Sequence, residues 1–492
     1  MARLSNRLRD RLHAGAPVTL MAALTAALGA CTVGPDFKRP SAPTVSGYRM
    51  KGDAPAPASP RLQEGQAPAG RWWTAFGSPE LDAVVDQALA GSPTLSEADA
   101  TLAQVRAEAG VVRGNAGPQV DANAGFQRER VNFAGYGFKF PGLNNPTTWI
   151  YAIGTSVAYD LDLAGGNRRA IESAGARAEA QAWRADAAYM TLTSEVVLEA
   201  IAIASLRAQI DAMEQAIQDD RDTVEITRKA IAAGGAAPSA QVSATTQLAE
   251  DSALLPPLRQ QLAEARHRLA LLLGRAPTEW SAPDFDLARI TAPAEVPVSL
   301  PSQLVHDRPD IRAAEADVHA AVADIGVQTA RLYPDVRLSA ALAQGALTTG
   351  QIFNYGSTGW SLGPELTVPI FNAGALKAGQ SAAQAAAQAS LARYKDVVLE
   401  AFVQVADVLQ ALAHDEEALK AENLAVESAT ANLRDQRLAF QEGGGTLLEM
   451  IDAQRQLNRT RRDLAAAQGQ RYVDTARLFA ATASDWRRPP GK

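Results

Sequence analysis

Two stretches of the chain decide its fold: WIYAIGTSVAYDLDLAG at residues 149–165 and TGWSLGPELTVPIFNAG at residues 358–374. Both alternate apolar with polar residues, as a β-strand does, and both end at a glycine. Gly165 and Gly374 lie 209 residues apart, and each is followed by a stretch without proline, 166–232 and 375–441. The chain therefore contains two copies of one unit, in which a strand leads through a glycine into a very long helix.

An earlier strand precedes each of these two and completes a hairpin. The four predicted strands are 119–130, 149–160, 335–345 and 360–370. Trp149 and Trp360 begin their strands, where an interfacial aromatic girdle would lie. Four segments of about ten residues with one apolar and one polar face suit a membrane barrel with a wet lumen. A soluble, half-buried sheet alternates in the same way, so alternation alone leaves both interpretations open.

The helices around the hairpins repeat as well. A helix over 93–117 precedes the first hairpin, and a helix over 309–333 precedes the second. The long helices over 166–232 and 375–441 would each measure about 100 Å at ~1.5 Å per residue. An apolar series with a spacing of seven in the first long helix favours helix-on-helix packing; its members are Val196, Ile203, Ile210, Ile217 and Val224.

A glycine pair follows each long helix and allows a tight reversal. The pairs are Gly234-Gly235 and Gly443-Gly444. Return helices are predicted over 238–274, where Pro256-Pro257 interrupts the first, and over 446–484. The resulting division is a signal peptide over 1–30, a lipid anchor and extended N-terminal arm over 31–78, a first repeat over 79–274, a linker or equatorial segment over 275–305, a second repeat over 306–484 and a C-terminal tail over 485–492.

The N-terminus resembles a bacterial lipoprotein signal. Four arginines precede an apolar run over 18–27, which is too short to span a bilayer. Leu28-Gly29-Ala30-Cys31 has the pattern of a lipobox, and Cys31 is the only cysteine, so it cannot form an internal disulfide. We expect covalent diacylglycerol and an N-acyl chain on Cys31. An ordinary signal peptide that ends beside a cysteine is the alternative. Thr32, where an aspartate would indicate inner-membrane retention, favours the outer membrane.

Four strands cannot close a barrel, and two open edges in hydrocarbon would leave backbone groups unpaired at several kcal/mol each. If the strands span a membrane, the chain must therefore oligomerise to close the ring. The long helices carry polar residues throughout, so they would project into the periplasm and pack against other helices. The sequence thus predicts an α+β membrane protein, with a β-barrel continued by an α-helical tube that identical chains share. Passive conduction is the function that follows.

Other classes of function find little support in the sequence. The net charge of −7 gives no indication of nucleic-acid binding. No stretch after residue 31 has 18 continuous apolar residues, so transmembrane helices are excluded on this criterion, whereas transmembrane strands are not. The five histidines lack metal-ligand companions, and neither a phosphate-binding loop nor a Gly-x-Ser-x-Gly motif occurs. We expect neither an enzyme nor a resident metal or cofactor.

Two charged motifs have simple structural interpretations. The acidic pairs Asp219-Asp220 and Glu416-Glu417 are interpreted as solvated helix faces. Arg308-Pro309-Asp310 is interpreted as a helix start, because proline suits the first turn and an acid suits the helix dipole.

Several longer motifs spread over nearly the whole chain after residue 31. They are Cys31-Thr-Val-Gly-Pro-Asp-Phe37 with Pro40, Trp72-Trp73 with Phe76, Tyr159-Asp-Leu-Asp-Leu163, Leu272-Leu-Gly274 with Pro277, Ser302 with Arg308-Pro-Asp310, Pro369-Ile-Phe-Asn372 with Gly374, and Leu448 with Ile451-Asp-Ala-Gln-Arg455. Together they resemble the TolC-like outer-membrane efflux factor family, in its NodT-type lipoprotein branch. At the C-terminus, Ala483-Ser484-Asp485-Trp486 departs from the family's glycine-rich ending.

The resemblance implies a homotrimer with a twelve-stranded barrel, four strands per chain, continued by a periplasmic α-helical barrel. It implies a periplasmic adaptor protein that docks at the glycine turns and an inner-membrane transporter of the RND type. Outer-membrane lipid would surround the barrel. The expected localisation is the cell outer membrane, lipid-anchored, with a periplasmic extension.

The resemblance also implies a gate at the periplasmic end, where apolar and acidic rings close the family's tube. The matching positions are Leu448 and Asp452, whose equivalents in the first copy are Ser239 and Ser243. Three copies of Asp452 would form an acidic ring that favours cations. Arg455 is expected to pair with an acidic neighbour and hold the closed state. The alternative for Asp452 is a solvated charge near a turn.

The expected function is the outer-membrane channel component of a tripartite efflux pump that conducts small molecules, such as drugs, passively from periplasm to exterior. A periplasmic lipoprotein coiled-coil scaffold without a pore is one alternative. Within the channel class, a metal-efflux duct and a type I secretion duct are the others.

Overall fold

The computed structural model describes residues 32–41, 43, 45, 47–57, 59–68, 70–130 and 147–482. Cys31, the predicted signal peptide and the predicted tail therefore lie outside the described residues. The helices are α1 Pro79–Gly91, α2 Pro93–Asn115, α3 Gly166–Ala232, α4 Pro238–Leu272, α5 Pro301–Asp307, α6 Pro309–Ala330, α7 Ala375–Gln441 and α8 Leu447–Thr482. The strands are β1 Arg61–Glu64, β2 Gln119–Arg130, β3 Thr147–Asp160, β4 Glu295–Val298, β5 Asp335–Ala346 and β6 Thr358–Thr367.

The two long helices have the bounds that the proline-free stretches predict. Each contains 67 residues. Positive-φ glycines, Gly165 at +78° and Gly374 at +86°, lie just before them. This backbone conformation disfavours a side chain with a Cβ, so a glycine allows the chain to turn from the strand into the helix.

The compact units of the structure differ from the sequence repeats. Among the described residues, one unit comprises 32–40, 103–130, 147–180 and 315–393, and the other comprises those within 41–102, 181–314 and 394–482. Each unit thus takes corresponding parts of both repeats. The boundary between the two sequence repeats is therefore not a boundary between the compact units.

The first unit contains a four-stranded antiparallel sheet with the order β2-β3-β5-β6. In its register Val120 pairs with Val157, Val157 with Ala340, and Ala340 with Leu362. Because side chains alternate between faces, these four apolar residues share one face of the sheet. The two hairpins predicted from separate repeats therefore form one sheet, joined through β3 and β5.

The second unit has an apolar core built from helix faces and aromatic rings. The heptad positions predicted in α3 are confirmed as a packing face: Val196 and Ile203 are fully buried, and Ile210 and Ile217 are nearly so. Trp72 is buried and stacks on Phe479 of α8, with ring centroids 5.6 Å apart. The short parallel sheet of β1 and β4 also belongs to this unit.

Arg308 was interpreted as part of a helix start, but in the structure its buried side chain also contacts other helices. Its residue is only 5% exposed, and its guanidinium donates to Asp310 Oδ2 at 2.8 Å, to Gln404 Oε1 at 2.8 Å and to the Ala481 carbonyl at 3.2 Å. A buried guanidinium is tolerated because its donors are satisfied. Arg308 therefore connects the start of α6 to α7 and α8.

The predicted interruption at Pro256-Pro257 is wrong, because α4 runs without a break from Pro238 to Leu272. Each proline removes one backbone donor. Both prolines lie on the exposed side of the helix, where water can satisfy the carbonyls that lose a partner, while Leu255 on the other side packs against Ile210 and Ile217. Packing of the buried face keeps the helix continuous.

Several other predicted bounds differ by a few residues. Helices α2 and α6 end at Asn115 and Ala330, before the predicted 117 and 333, because the residue that precedes a proline disfavours helical geometry. Strand β6 covers Thr358–Thr367 instead of 360–370.

Short elements in the predicted arm and linker were not foreseen. The arm over 31–78 contains β1 and a 3₁₀ helix at Trp72–Phe76, and helix α1 follows it. The segment over 275–305 contains β4 and the first residues of α5, so the predicted start of the second repeat at 306 falls inside a helix.

Two of the described helices, α3 and α7, are long and apolar enough to cross a membrane by length and composition alone. The best 18-residue window of each has a mean hydropathy of 1.4, with 50% of it buried in α3 and 33% in α7. The exclusion of transmembrane helices from the lack of unbroken apolar runs was therefore too strict. A largely buried core helix passes the same test, so the finding is weak evidence for a span.

Candidate channel surface and periplasmic gate

The apolar face of the four-stranded sheet is exposed. Trp360 is 77% exposed and Leu362 75%, and Val120, Phe126 and Leu366 are exposed as well. Single exposed apolar residues are common on soluble proteins, but a contiguous face of this kind marks a surface that meets lipid or another protein. The apolar residues of the alternating pattern thus form an exposed face of the sheet in this chain, and this face is not packed as in a half-buried sheet.

The opposite face of the sheet is polar and charged. The register places Asp160 beside Arg337, and Arg337 beside Glu365. Arg337 Nε donates to Asp160 Oδ1 at 2.7 Å, which joins β5 to β3. Asp121 and Ser156 form another cross-strand pair on this face. A sheet with one apolar and one charged face fits a boundary between hydrocarbon and water.

The end of the β2–β3 hairpin carries an aromatic cluster. The ring centroids of Phe126 and Trp149 lie 5.9 Å apart, and those of Trp149 and Tyr151 6.5 Å. The guanidinium of Arg128 lies 5.6 Å from the centre of the Trp149 ring. Aromatic rings with a nearby cation are typical of a membrane–water interface.

Strands β2 and β6 form the edges of the sheet and have no strand partner beyond it among the described residues. Each edge exposes a row of backbone donors and acceptors. Since every neighbouring pair in the sheet is antiparallel, the two edge strands run in opposite directions. The β6 edge of one copy can therefore pair with the β2 edge of another copy in the same antiparallel manner.

The predicted turn glycines have unequal roles. Gly234 has φ +76° and Gly443 has φ +79°, whereas Gly235 and Gly444 are not in the left-handed region. The amide of Gly235 donates to the Ala230 carbonyl at 2.8 Å, and the amide of Gly444 to the Ala439 carbonyl at 2.9 Å. These bonds satisfy carbonyls at the helix ends, as in a Schellman motif. The first glycine of each pair thus makes the reversal possible.

The structure places the predicted gate residues together on the first turns of α8. Leu448 is 52% exposed, and Asp452 lies one turn further on and is also exposed. Arg455 Nη1 lies 3.6 Å from Asp452 Oδ1. Because this ion pair lies within one helix, it cannot by itself connect α8 to a neighbouring helix. The role of these residues in a gate remains a prediction.

A capping box fixes the start of α8. The Glu449 amide donates to Thr446 Oγ1 at 3.3 Å, and the Thr446 amide donates to Glu449 Oε2 at 2.7 Å. The bond from the Thr446 amide holds the pKa of Glu449 below its usual range. Reciprocal bonds of this kind satisfy backbone donors at a helix start and set its direction. The capping box thereby orients Leu448 and Asp452.

A buried polar layer connects α3, α7 and α8 near these turns, and no motif in the sequence indicates it. Arg437 of α7 donates to Gln454 Oε1 at 2.7 Å. Gln454 of α8 donates to Asn458 Oδ1 at 2.9 Å and to Asp219 Oδ2 of α3 at 3.1 Å. Asp220 is only 4% exposed, so the interpretation of Asp219-Asp220 as a solvated face is wrong for Asp220. This layer, and not Arg455, connects the helices that the gate prediction concerns.

The segment that follows Cys31 is held against the first unit's helices. The amide of Val33 donates to the Ala164 carbonyl at 3.1 Å. The side chain of Arg169, 5% exposed, donates to Asp36 at 2.6 Å and to Glu172 at 2.7 Å. A Cβ on Gly165 would lie 2.8 Å from Thr32, so only glycine permits this close approach. The residue after the predicted lipidation site is thus fixed beside the start of α3.

Among the described residues, no group of three or more His, Cys, Asp and Glu side chains could hold a metal ion.

Comparison with known proteins agrees with this arrangement. The model of the outer membrane efflux protein family matches residues 84–275 and 300–484. The chain is 29% identical over 419 residues to the pyoverdine export outer membrane protein OpmQ of Pseudomonas aeruginosa, covering 85% of this chain and 87% of OpmQ. It is 27% identical over 462 residues to nodulation protein T of Rhizobium leguminosarum bv. trifolii, covering 92% and 93%.

The solved structure of the outer-membrane channel OprN superimposes with a TM-score of 0.82 at 28% identity. The match covers 93% of this chain and all of OprN. These matches confirm the predicted family, the efflux function and the outer-membrane localisation. The two matched segments correspond to the two repeats found in the sequence, and family members are channel proteins, not enzymes. The chain belongs to the outer membrane efflux protein family.

Proposed function

We propose that three copies of this chain form a closed twelve-stranded barrel, continued by a periplasmic α-helical barrel, as the passive outer-membrane duct of a tripartite efflux pump. One observation supports this most directly: a four-stranded sheet with an exposed apolar face, a charged opposite face and two unpaired edges among the described residues. In hydrocarbon an unpaired edge costs several kcal/mol per backbone group, so the sheet is incomplete without other copies.

Closure by identical copies satisfies both edges at once. Because β2 and β6 run in opposite directions, β6 of each copy would pair antiparallel with β2 of the next, and the ring would contain an even number of strands. Three copies of four strands give the twelve strands that the family resemblance implies. The apolar faces would meet lipid, and the face with Asp121, Asp160 and Glu365 would line the water-filled lumen.

The pump would include a periplasmic adaptor at the Gly234 and Gly443 turns and an inner-membrane transporter. The chain would be anchored by lipid on Cys31, in line with the position of Thr32 beside Gly165. Relatives with similar identity are named for pyoverdine export and for nodulation, so the channel fold is shared by systems with different names and tasks. We infer that the substrate is a small molecule whose selection lies with the transporter.

Cysteine cross-linking across the two edges tests the trimer. Ala122→Cys on β2 is combined in turn with Trp360→Cys, Leu362→Cys or Leu366→Cys on β6, all on the apolar face. Cys31 is the only native cysteine, so the background is low. We expect at least one combination to give covalent dimers and trimers in isolated outer membranes. Monomers alone in every combination would contradict the closed barrel.

A pair within one chain serves as the control. Ala340 pairs with Leu362 in the β5–β6 register, so Ala340→Cys with Leu362→Cys should cross-link within a monomer only. The same experiment separates the channel from a poreless periplasmic scaffold. A scaffold would give no cross-linked trimers and would leave the membrane fraction when its lipid anchor is removed.

A further inference from the structure

Two buried carboxyl groups, from Asp220 of α3 and Asp251 of α4, lie within hydrogen-bonding reach of each other. Asp220 is 4% exposed and Asp251 8%. Along α3, Asp220 lies between Ile217, which belongs to one apolar cluster, and Val224, which packs against another. Two adjacent carboxylates cannot both stay charged in such an environment.

Hydrogen-bond donors satisfy the two carboxyl groups only in part. Asn458 Nδ2 donates to Asp220 Oδ1 at 3.4 Å, and Gln247 Nε2 donates to Asp251 Oδ2 at 2.9 Å. Asn458 Oδ1 already accepts from Gln454, which fixes the orientation of the Asn458 amide. Asp220 Oδ2 is buried and has no hydrogen-bond donor among the described residues. A proton shared between the two carboxyl groups would remove one of the two buried negative charges.

Nearby charges do not neutralise the pair. Asp219 on α3 adds a further negative charge, and Arg455 of α8 acts on Asp220 only from a distance. Arg455 forms its ion pair with Asp452 at 3.6 Å, and Arg461 of α8 approaches Asp219 at 3.8 Å. Arg437 of α7 donates to Gln454. In the described part of the chain, no cation forms an ion pair with Asp220 or Asp251.

A second pair of carboxyl groups, one half-buried and one buried, has closer cations than Asp220 and Asp251. Asp415 of α7 lies beside Asp474 of α8, with Arg471 and Arg477 as charged neighbours. Arg477 Nη1 donates to Asp474 Oδ1 at 2.9 Å. Burial and Asp474 raise the pKa of Asp415 to about 6, while the two arginines lower it. At Asp220, burial, Asp251 and Asp219 raise the pKa to about 7, and Arg455 alone lowers it.

We propose that Asp220 and Asp251 share one proton and form a pH-sensitive latch, which holds α3 to α4 and, through Asn458, to α8. Loss of the proton leaves two carboxylates side by side in a buried site, and their repulsion separates these helices. The latch rests on the proposed channel function for one consequence only, the opening of the tube near the glycine turns.

The direction of the effect follows from the raised pKa of Asp220. An acid with a raised pKa in the packed state binds a proton there that it would lose in the separated state. Tight packing is therefore favoured at low pH and is lost as the pH rises towards about 7. If one proton is lost, the equilibrium between packed and separated helices changes roughly tenfold per pH unit. This holds between the pKa of Asp220 in the separated state and its higher pKa in the packed state, and the equilibrium then levels off.

Hydrogen–deuterium exchange of the full-length protein in detergent tests the latch, at several pH values between about 5 and about 8, corrected for intrinsic exchange. We expect peptides that cover 213–224 and 245–255 to lose protection roughly tenfold per pH unit up to pH ~7. Asp220→Asn should remove this pH dependence, because an amide needs no shared proton. Asp251→Asn should act in the same way and serves if the first variant fails to fold.

Asp222→Asn is the matched control, since Asp222 lies on α3, is exposed and accepts from Gln218 at 3.1 Å. It should keep the wild-type pH dependence. A wild-type protein without pH-dependent exchange in these peptides, or an Asp220→Asn protein that retains it, would overturn the latch.

Conductance in planar bilayers separates the latch from the channel. Conduction that is unaffected by pH and by Asp220→Asn would refute the role of the latch in opening the tube and leave the channel intact. The expected exchange behaviour in a protein that never conducts would refute the channel and leave the latch intact.

Discussion

At the scale of single residues, the exposed side chains at the start of α8 carry the gate prediction. Asp452 and Arg455 form an ion pair within the helix, and both side chains are more than 40% exposed. An exposed pair of this kind contributes about 1 kcal/mol at most. Because the pair lies within one helix, its loss alone should not open the tube. Asp452→Ala should raise the closed-state conductance in planar bilayers by about fivefold or less, through loss of the predicted acidic ring.

Gln456→Ala controls for the loss of an exposed polar side chain on the same helix. It should leave the conductance as in the wild type. An Asp452→Ala channel with unchanged closed-state conductance would remove Asp452 from the gate and support the solvated-charge interpretation.

The predicted lipid anchor depends on one side chain, because the cysteine of a lipobox is the acceptor for diacylglycerol and Cys31 has that position in the sequence. Cys31→Ser should abolish incorporation of a labelled fatty acid. Assembly in the outer membrane should persist, since the sheet supplies its own apolar surface. Continued labelling of the variant would show that Cys31 is not the acylated residue, and Thr32→Ala provides a control that keeps the thiol.

At the scale of elements, the glycine turns offer a comparison within each pair. Gly234 has φ +76°, and a Cβ added there would meet nothing within 4 Å, so the penalty for alanine is conformational and not steric. Gly234→Ala should lower the free energy of unfolding by about 1 kcal/mol, whereas Gly235→Ala should change it little. Chemical denaturation of the detergent-solubilised protein measures both.

Gly443→Ala and Gly444→Ala repeat the comparison in the second copy, where Gly443 has φ +79°. Equal destabilisation by the two members of a pair would show that the reversal does not depend on left-handed geometry at its first residue.

The elements that the sequence predicts well are those with long, periodic patterns. Helices α3 and α7 show no proline for 67 residues, and the heptad of α3 identifies its buried face. Strand pairing over long distances could not be predicted, because β1 and β4 contain only four residues each and pair across more than 200 residues of chain. The continuity of α4 through Pro256-Pro257 could not be predicted either, since it depends on packing around Leu255.

Of the candidate gate region, only the exposed residues could be predicted from the sequence. Leu448 and Asp452 could be assigned from a motif, whereas the polar layer around Asp220 depends on which face of α3 meets α4 and α8. In the sequence, Asp219 and Asp220 are equivalent acids on a helix. In the structure, Asp220 is buried, while Asp219 is only partly buried and meets Arg461. Neighbouring residues on a helix point in directions about 100° apart, so one can be buried while the other meets water.

At the scale of the whole molecule, the two repeats contain the same kinds of helices and strands but differ in their buried acidic residues. At the offset of 209, Asp220 corresponds to Ala429 and Asp251 to Thr460. The proposed carboxyl pair is therefore present in the first copy only, as Asp452, the predicted acidic gate residue, is present in the second only. A duplicated chain can open at one helical hairpin and stay packed at the other if its titratable groups are distributed in this way.

Membrane insertion of the proposed barrel depends on which face of the sheet meets lipid. Leu362 lies in the middle of β6 on the apolar face and is 75% exposed, while Ser361 lies on the polar face next to it. Leu362→Arg should destabilise the inserted protein by about 2–4 kcal/mol, the cost of a cation on the lipid face near the bilayer midplane. Ser361→Arg should be tolerated, because its side chain would reach the wet lumen.

The two variants differ by one position and introduce the same side chain, so their comparison isolates the face of the sheet. Heat-modifiable migration and outer-membrane abundance should fall for Leu362→Arg and stay near wild type for Ser361→Arg. If both variants insert equally, the apolar face is covered by protein and not by lipid, and β6 does not belong to a membrane barrel. If Ser361→Arg alone fails, the assignment of the two faces is reversed.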